Sequence, residues 1–129
     1  MAIFLSLTEI RAASADEVGS KARALAELDA NGFRVPPAIA IPASTYDAYL
    51  DATRLRDRIG FELGRKAFEE MRWEEIWDAA LRIRNLFLVT PMPATMFGQL
   101  RSAVEQTFGN ESVVVRSSAP GEDSGEASM

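Results

Sequence analysis

A run of three valines that leads straight into a polar turn constrains the fold of this chain more than any other segment. Residues 113–115 are all valine, and Arg116, Ser117 and Ser118 follow directly. Consecutive β-branched apolar residues are typical of a short buried strand. Because open α/β sheets bind ligands beyond the carboxyl ends of their strands, the turn after residue 115 is predicted to be a ligand-binding loop.

The composition fits one soluble globular domain over residues 1–129. The net charge of −5 disfavours binding to nucleic acid or to an anionic membrane. The sequence has no cysteine, which excludes disulfides and thiolate chemistry. It also has no histidine, so this chain can hold neither an imidazole base nor a phosphohistidine.

Nothing in the sequence predicts a membrane segment or a secretory leader. The longest apolar runs, such as residues 86–89, are far too short to span a bilayer. The apolar start of the chain lacks a basic leader and a long hydrophobic region, so it is not interpreted as a signal peptide. A cytoplasmic protein is expected.

Hydrophobic periodicity and turn residues predict an α/β (α+β) fold, rich in helix around a small mixed sheet. Ile39, Ile41, Val113 and Val115 are expected to be buried in that sheet. The segment around residues 8–16 is predicted to be a polar connection, and residues 120–129 a mobile tail. The predicted strands are 2–7, 38–41 and 112–116, and the predicted helices are 20–31, 42–50, 55–63, one carrying Ile76 to Phe87, and one ending near Phe108.

Two motifs about a hundred residues apart resemble one known family. Val18-Gly19-Ser20-Lys21, followed by Gly32 and Val35-Pro36, is similar to the opening of pyruvate phosphate dikinases and phosphoenolpyruvate synthases, approximately V-G-G-K and then G-x-x-V-P. Val115 to Asp123 is similar to the V-R-S-S-A-x-x-E-D of the same family. Ser20 departs from the pattern, because the family usually has a second glycine there.

This resemblance implies the first part of an ATP-grasp-like nucleotide-binding domain, with ATP and Mg²⁺ as cofactors in the complete enzyme. In that family the β-phosphoryl of ATP passes to a histidine on a separate domain, and a third domain transfers it to pyruvate. We therefore expect the remaining domains of a parent enzyme to be partners, and this chain to be inactive alone. No catalytic residue and no metal ligand are assigned to it.

Lys21, Arg116, Ser117 and Ser118 are the predicted cofactor-binding residues. Lys21 near a helix N-terminus would pair with polyphosphate, and the alternative is a solvated surface lysine. Arg116 would contact a phosphate in bidentate fashion, and the alternative is a structural ion pair. Ser117 and Ser118 either donate to phosphate or cap the turn.

Two other sets of residues are interpreted structurally. Glu122 and Asp123 could help to bind Mg²⁺ in a complete domain, but a solvated acidic loop is favoured. Trp73 and Trp77 lie four residues apart on a helix, and packing is favoured over an adenine platform.

The leading hypothesis is thus a nucleotide-binding fragment of an ATP-dependent dikinase of the phosphoenolpyruvate synthase type. One alternative is a stand-alone binding or regulatory module that reuses the fold. Another is a fragment of a related phosphotransferase that acts on rifampin or glucan.

Overall fold

Helices dominate the structure, a computed structural model that describes residues 2–118. A short 3-10 turn, Phe68–Glu70, precedes the longest helix. The elements are β1 (Leu5–Ser6), α1 (Leu7–Ala12), α2 (Ala15–Ala30), β2 (Ile39–Ala40), α3 (Ala43–Ala52), α4 (Leu55–Leu63), α5 (Trp73–Val89) and α6 (Ala94–Phe108). The chain forms two compact units, and the second of them comprises Asp47–Ala94.

The first unit contains a two-stranded antiparallel sheet, in which Leu5 pairs with Ala40 and Ser6 with Ile39. Ile10 from α1 and Val18 and Ala26 from α2 form its buried cluster. Half-buried apolar side chains from both strands and both helices pack around that cluster. The helix-rich α+β class predicted from the sequence is confirmed.

A capping box ends the first strand earlier than predicted. The Ser6 hydroxyl accepts the Glu9 backbone N–H at 3.4 Å, and the Glu9 carboxylate accepts the Ser6 N–H at 3.2 Å. The Ser6 hydroxyl also donates to the Glu9 carboxylate at 2.8 Å, and this hydrogen bond, together with the one from the Ser6 N–H, holds the pKa of Glu9 below its ordinary value. Because both partners of the capping box are satisfied, helix α1 starts at Leu7. The predicted strand over residues 2–7 is confirmed only at Leu5–Ser6, and the prediction of a polar connection around residues 8–16 was wrong, because α1 and the start of α2 occupy it.

The N-terminus of α3 is fixed by residues from the start of the chain. The Glu17 carboxylate accepts hydrogen bonds from the Ser44 hydroxyl and, at 3.1 Å, from the Ser44 N–H. The buried Thr45 hydroxyl donates to the Ile3 carbonyl at 2.8 Å. The segment after β2 is thereby fastened to the segments around β1 and α2, within the first unit.

The second unit is built on the pairing of α4 with α5. Leu50, Leu55 and Ala79 are its buried apolar residues. The Tyr49 hydroxyl donates to the Thr90 carbonyl at 3.0 Å, and the Tyr49 ring stacks on Phe87 with 6.2 Å between ring centroids. These contacts close the C-terminal end of α5 onto α3 within this unit.

The predicted third strand is not formed within the described residues. Residues 111–118 have no regular secondary structure, and Val114 and Val115 are 84% and 92% exposed. Val113 and Ile41 are also exposed, at 45% and 53%. The physical reason is that a valine run becomes a buried strand only when neighbouring strands cover it. Among residues 2–118, none pairs with this segment.

The remaining predictions from the sequence have different outcomes. Gly32 ends α2 with a φ of 84°, as predicted for a helix C-terminus. Trp73 and Trp77, for which packing was favoured over an adenine platform, are 72% and 63% exposed, so within residues 2–118 they are not part of a buried core. The predicted mobile tail lies outside the described residues. Within residues 2–118, no helix is long and apolar enough to cross a membrane.

Truncation of Ile10 tests the first core. Ile10→Ala should lower the free energy of unfolding by about 2–5 kcal/mol, because Ile10 is 1% exposed and its loss leaves a cavity. Leu28→Ala removes the same number of carbon atoms from a residue that is 46% exposed. It should lower the free energy of unfolding by less than about 1 kcal/mol. Urea unfolding of both variants measures the difference. Equal losses would contradict this assignment of the core.

Acid should weaken the second unit through Glu62. Hydrogen bonding to Arg82, and then to Arg65, lowers the pKa of Glu62 from its ordinary value of 4.5. A lowered folded-state pKa gives stability that is complete above 4.5 and is lost as the pH falls through the lowered pKa.

The difference in melting temperature between the native chain and Glu62→Gln should therefore shrink as the pH falls from about 6 to about 3. Glu74→Gln changes an exposed carboxylate that forms no ion pair within the described residues, and serves as the control. A difference for Glu62→Gln that does not vary with pH would contradict the role of its charge.

Candidate functional site

Gly19 divides α2 into two helical segments. Its φ of 81° and ψ of 161° are not helical, although the residues on both sides are. Such a positive φ strongly favours glycine. Residues 20–30 therefore start a new helical segment, in which Lys21 is the second residue. A helix N-terminus carries a partial positive charge, so this start favours an anion.

Ser118 lies directly against this interruption. Its hydroxyl donates to the Val18 carbonyl at 2.9 Å, across 100 residues of sequence. A Cβ added to Gly19 would overlap the Ser118 hydroxyl and carbonyl oxygens, and would stand 2.7 Å from the Ser118 carbonyl carbon. The two motifs singled out from the sequence are thus in contact, and at Gly19 that contact leaves no room for a side chain.

A cavity of about 340 Å³ opens beside this contact, within the first unit. Most of its lining is apolar, and Arg116 and Ser118 are its polar side chains. The lining residues are Val18, Ala22, Ile39, Ala40, Ile41, Leu100, Val104, Phe108, Val113, Val114, Val115, Arg116 and Ser118. The cavity thus has an apolar wall with a guanidinium and a hydroxyl beside it.

The four predicted cofactor-binding residues differ from one another in exposure, in hydrogen bonding and in whether they line the cavity. Arg116 and Ser117 are exposed, and Arg116 makes no ion pair within residues 2–118, so the structural ion pair considered for it is not formed there. Ser118 is half-buried and donates its proton to Val18. Lys21 is half-buried, and it does not line the cavity. The structure brings Ser118 to the segment that begins the Lys21 helix and places Arg116 two residues away along the chain.

The described residues offer cations and hydroxyls rather than a metal centre. Within residues 2–118, no three Asp or Glu residues cluster closely enough to hold a metal ion. Glu122 and Asp123, weighed as possible Mg²⁺ ligands, lie outside the described residues. An exposed guanidinium without a carboxylate partner, a hydroxyl beside it and a nearby helix start suit the oxygens of a phosphate group.

Two features of this region could not be read from the motifs. One is the close approach at Gly19, because a glycine in a loop motif does not reveal which segment will cover it. The other is Arg23, whose buried Nε has no hydrogen-bond partner among residues 2–118. Arg23 does not line the cavity, and no pattern in the sequence distinguishes it from the other arginines.

Comparison with protein families agrees with this arrangement. The family described as "Pyruvate phosphate dikinase, AMP/ATP-binding domain" matches residues 15–129. This match spans both motifs and most of the chain, so the chain belongs to that family of AMP/ATP-binding domains. The resemblance on which the sequence analysis relied is confirmed, and with it the assignment of an ATP-binding domain.

Two curated relatives are named as phosphoenolpyruvate synthases. A phosphoenolpyruvate synthase of Neisseria meningitidis is 31% identical over 93% of this chain, and a probable phosphoenolpyruvate synthase of Staphylothermus marinus is 31% identical over 87%. The chain spans 16% and 14% of the lengths of these two proteins. Its similarity is therefore to one part of much longer enzymes.

Proposed function

We propose that this chain is the N-terminal part of the ATP site of a dikinase of the phosphoenolpyruvate synthase type. One observation carries the proposal: the Val18–Lys21 and Arg116–Ser118 motifs meet through the Ser118–Val18 hydrogen bond of 2.9 Å. The two relatives named as phosphoenolpyruvate synthases support the synthase type over a rifampin or glucan phosphotransferase. The proposed fold of the complete domain is ATP-grasp-like, and the proposed location is the cytoplasm, where ATP is supplied.

In this proposal the chain supplies positive charge and hydrogen-bond donors to the phosphates of ATP. Arg116 can donate two parallel N–H bonds to one phosphate group, and its exposure leaves those donors accessible. Lys21 adds a point charge at the start of the helical segment 20–30. Ser117, which is exposed next to Arg116, would add a hydroxyl donor to the same group.

Charge neutralisation and positioning account for most of the catalysis of phosphoryl transfer, so these residues contribute binding and orientation rather than covalent chemistry. Mg²⁺ would neutralise further phosphate charge when bound. Its ligands would be phosphate oxygens and one or two carboxylates; within residues 2–118 no three carboxylates lie close enough together to hold the ion by themselves. A phosphohistidine must be supplied by another segment or domain, because this sequence contains no histidine.

Replacement of Arg116 tests the phosphate contact. Arg116→Ala should weaken ATP binding about ten- to a hundredfold, because a charge-assisted hydrogen bond contributes about 1.5–3 kcal/mol. The melting temperature should change little, since Arg116 is exposed and makes no ion pair within the described residues. Titration of the chain with millimolar ATP, followed by NMR chemical shifts, gives the affinity.

The matched control is Arg34→Ala, which removes an exposed arginine of the same unit that does not line the cavity. This variant should bind ATP like the native chain. Unchanged affinity in Arg116→Ala would reject the phosphate role. A large fall in its melting temperature would instead indicate a structural role.

The isolated 129-residue chain should show no ATP-dependent phosphoryl transfer. The physical reason is that it has no histidine to accept the phosphoryl group, and no carboxylate cluster for a metal within the described residues. The assay combines the chain with ATP, Mg²⁺ and pyruvate and measures AMP and phosphoenolpyruvate. Formation of either above a protein-free control would contradict the proposal, whereas ATP binding without turnover agrees with it.

A further inference from the structure

The side chain of Ser118 has already used its only hydrogen-bond donor. A serine hydroxyl carries one O–H, and that of Ser118 points to the Val18 carbonyl at 2.9 Å. While this hydrogen bond exists, the Ser118 hydroxyl cannot donate to a phosphate oxygen. Of the two serine hydroxyls, that of Ser117 makes no hydrogen bond within residues 2–118 and is the one proposed for phosphate, and the Ser118 hydroxyl has a structural role.

Two features at Gly19 favour glycine: its positive φ, and the lack of space for a Cβ atom. The other described glycines with positive φ have only the first of these features. Gly32 and Gly109 have φ values of 84° and 58°, but a Cβ on either would meet nothing within 4 Å. At Gly19 the φ is 81°, and a Cβ would overlap Ser118 as well. Part of that overlap is with the backbone carbonyl, so rotation of the Ser118 side chain cannot relieve it.

We infer that Gly19 and Ser118 are positioning residues that hold the Arg116–Ser117 turn against the start of the Lys21 helix. This inference rests on the proposed ATP site and assigns the contact that assembles it. The hydroxyl of Ser118 fixes the turn to Val18, and the missing side chain of Gly19 provides the space. Arg116 and Lys21 would then be held in a fixed relative position before ATP binds. Because the turn is already ordered, ATP binding would not have to offset the entropy of ordering it.

The decisive pair of variants is Gly19→Ala and Gly32→Ala. Both place a Cβ on a residue with nearly the same positive φ, so both should lower the melting temperature through backbone strain. Only Gly19→Ala should displace residues 116–118. It should therefore lower the heteronuclear 15N NOE of the amides of residues 117 and 118, because this segment loses its order, and weaken ATP binding by about tenfold or more, the lower limit expected for loss of the Arg116 contact.

A double-mutant cycle keeps the inference testable if Gly19→Ala is poorly folded at ordinary temperature. Ser118→Ala alone should lower the heteronuclear 15N NOE of the amides of residues 117 and 118 and weaken ATP binding severalfold. Added to Gly19→Ala, it should have almost no further effect, because the hydrogen bond is already broken. Added to Gly32→Ala, it should have its full effect, because the two sites share no contact.

Three results would overturn the inference: native heteronuclear NOE values at residues 117 and 118 in both Gly19→Ala and Ser118→Ala, effects that simply add in the Gly19–Ser118 cycle, or an equal loss of ATP affinity in Gly32→Ala. The NOE measurements use no nucleotide, so they judge the contact even if the native chain does not bind ATP. Normal ATP affinity in Arg116→Ala, with lowered NOE values in Gly19→Ala, would reject the proposed ATP contact and retain the positioning contact.

Discussion

The candidate site depends on one contact between segments that are far apart in sequence. Ser118 donates to the Val18 carbonyl across 100 residues, and Gly19 supplies the space for it. Without this contact the described residues would offer two separate features, an exposed arginine and the start of a helix. A helix start alone attracts any anion weakly. A guanidinium fixed near it adds direction and bidentate geometry, which is what recognition of a phosphate requires.

The first unit provides the support for that contact. Ile10, Val18 and Ala26 pack together, so Val18 is held on its apolar side by the core and presents its carbonyl to Ser118. Glu17, one residue earlier, accepts two hydrogen bonds from Ser44 at the start of α3. The residues just before Gly19 are thereby fixed by packing and by hydrogen bonds. A rigid neighbour of this kind lets a short turn be positioned by a single hydroxyl.

Features that depend on near neighbours could be predicted from the sequence, whereas features that depend on distant segments could not. Gly32 marks the end of α2 as predicted, because a helix C-terminus is set by local residues. The capping pair of Ser6 and Glu9 is likewise a local signal, and it explains why β1 ends at Ser6 rather than at Leu7. The valine run favours a strand, yet its burial depends on partners that its own residues cannot specify. For the candidate site, the motifs predicted Lys21 and Arg116 as phosphate-binding cations, whereas the close approach of Ser118 to Gly19 depends on how the chain folds.

The exposed valines also affect how the protein behaves in solution. Val114 and Val115 are almost fully exposed, and residues 113–117 make no backbone–backbone hydrogen bond within the described part of the chain. An extended apolar segment with unused backbone donors and acceptors is a template for strand pairing between molecules. Arg116 follows the run immediately, and a charge in that place opposes stacking of identical segments. Arg116 would therefore oppose aggregation in addition to making the proposed phosphate contact. A substitution of Arg116 would then affect solubility as well as nucleotide binding.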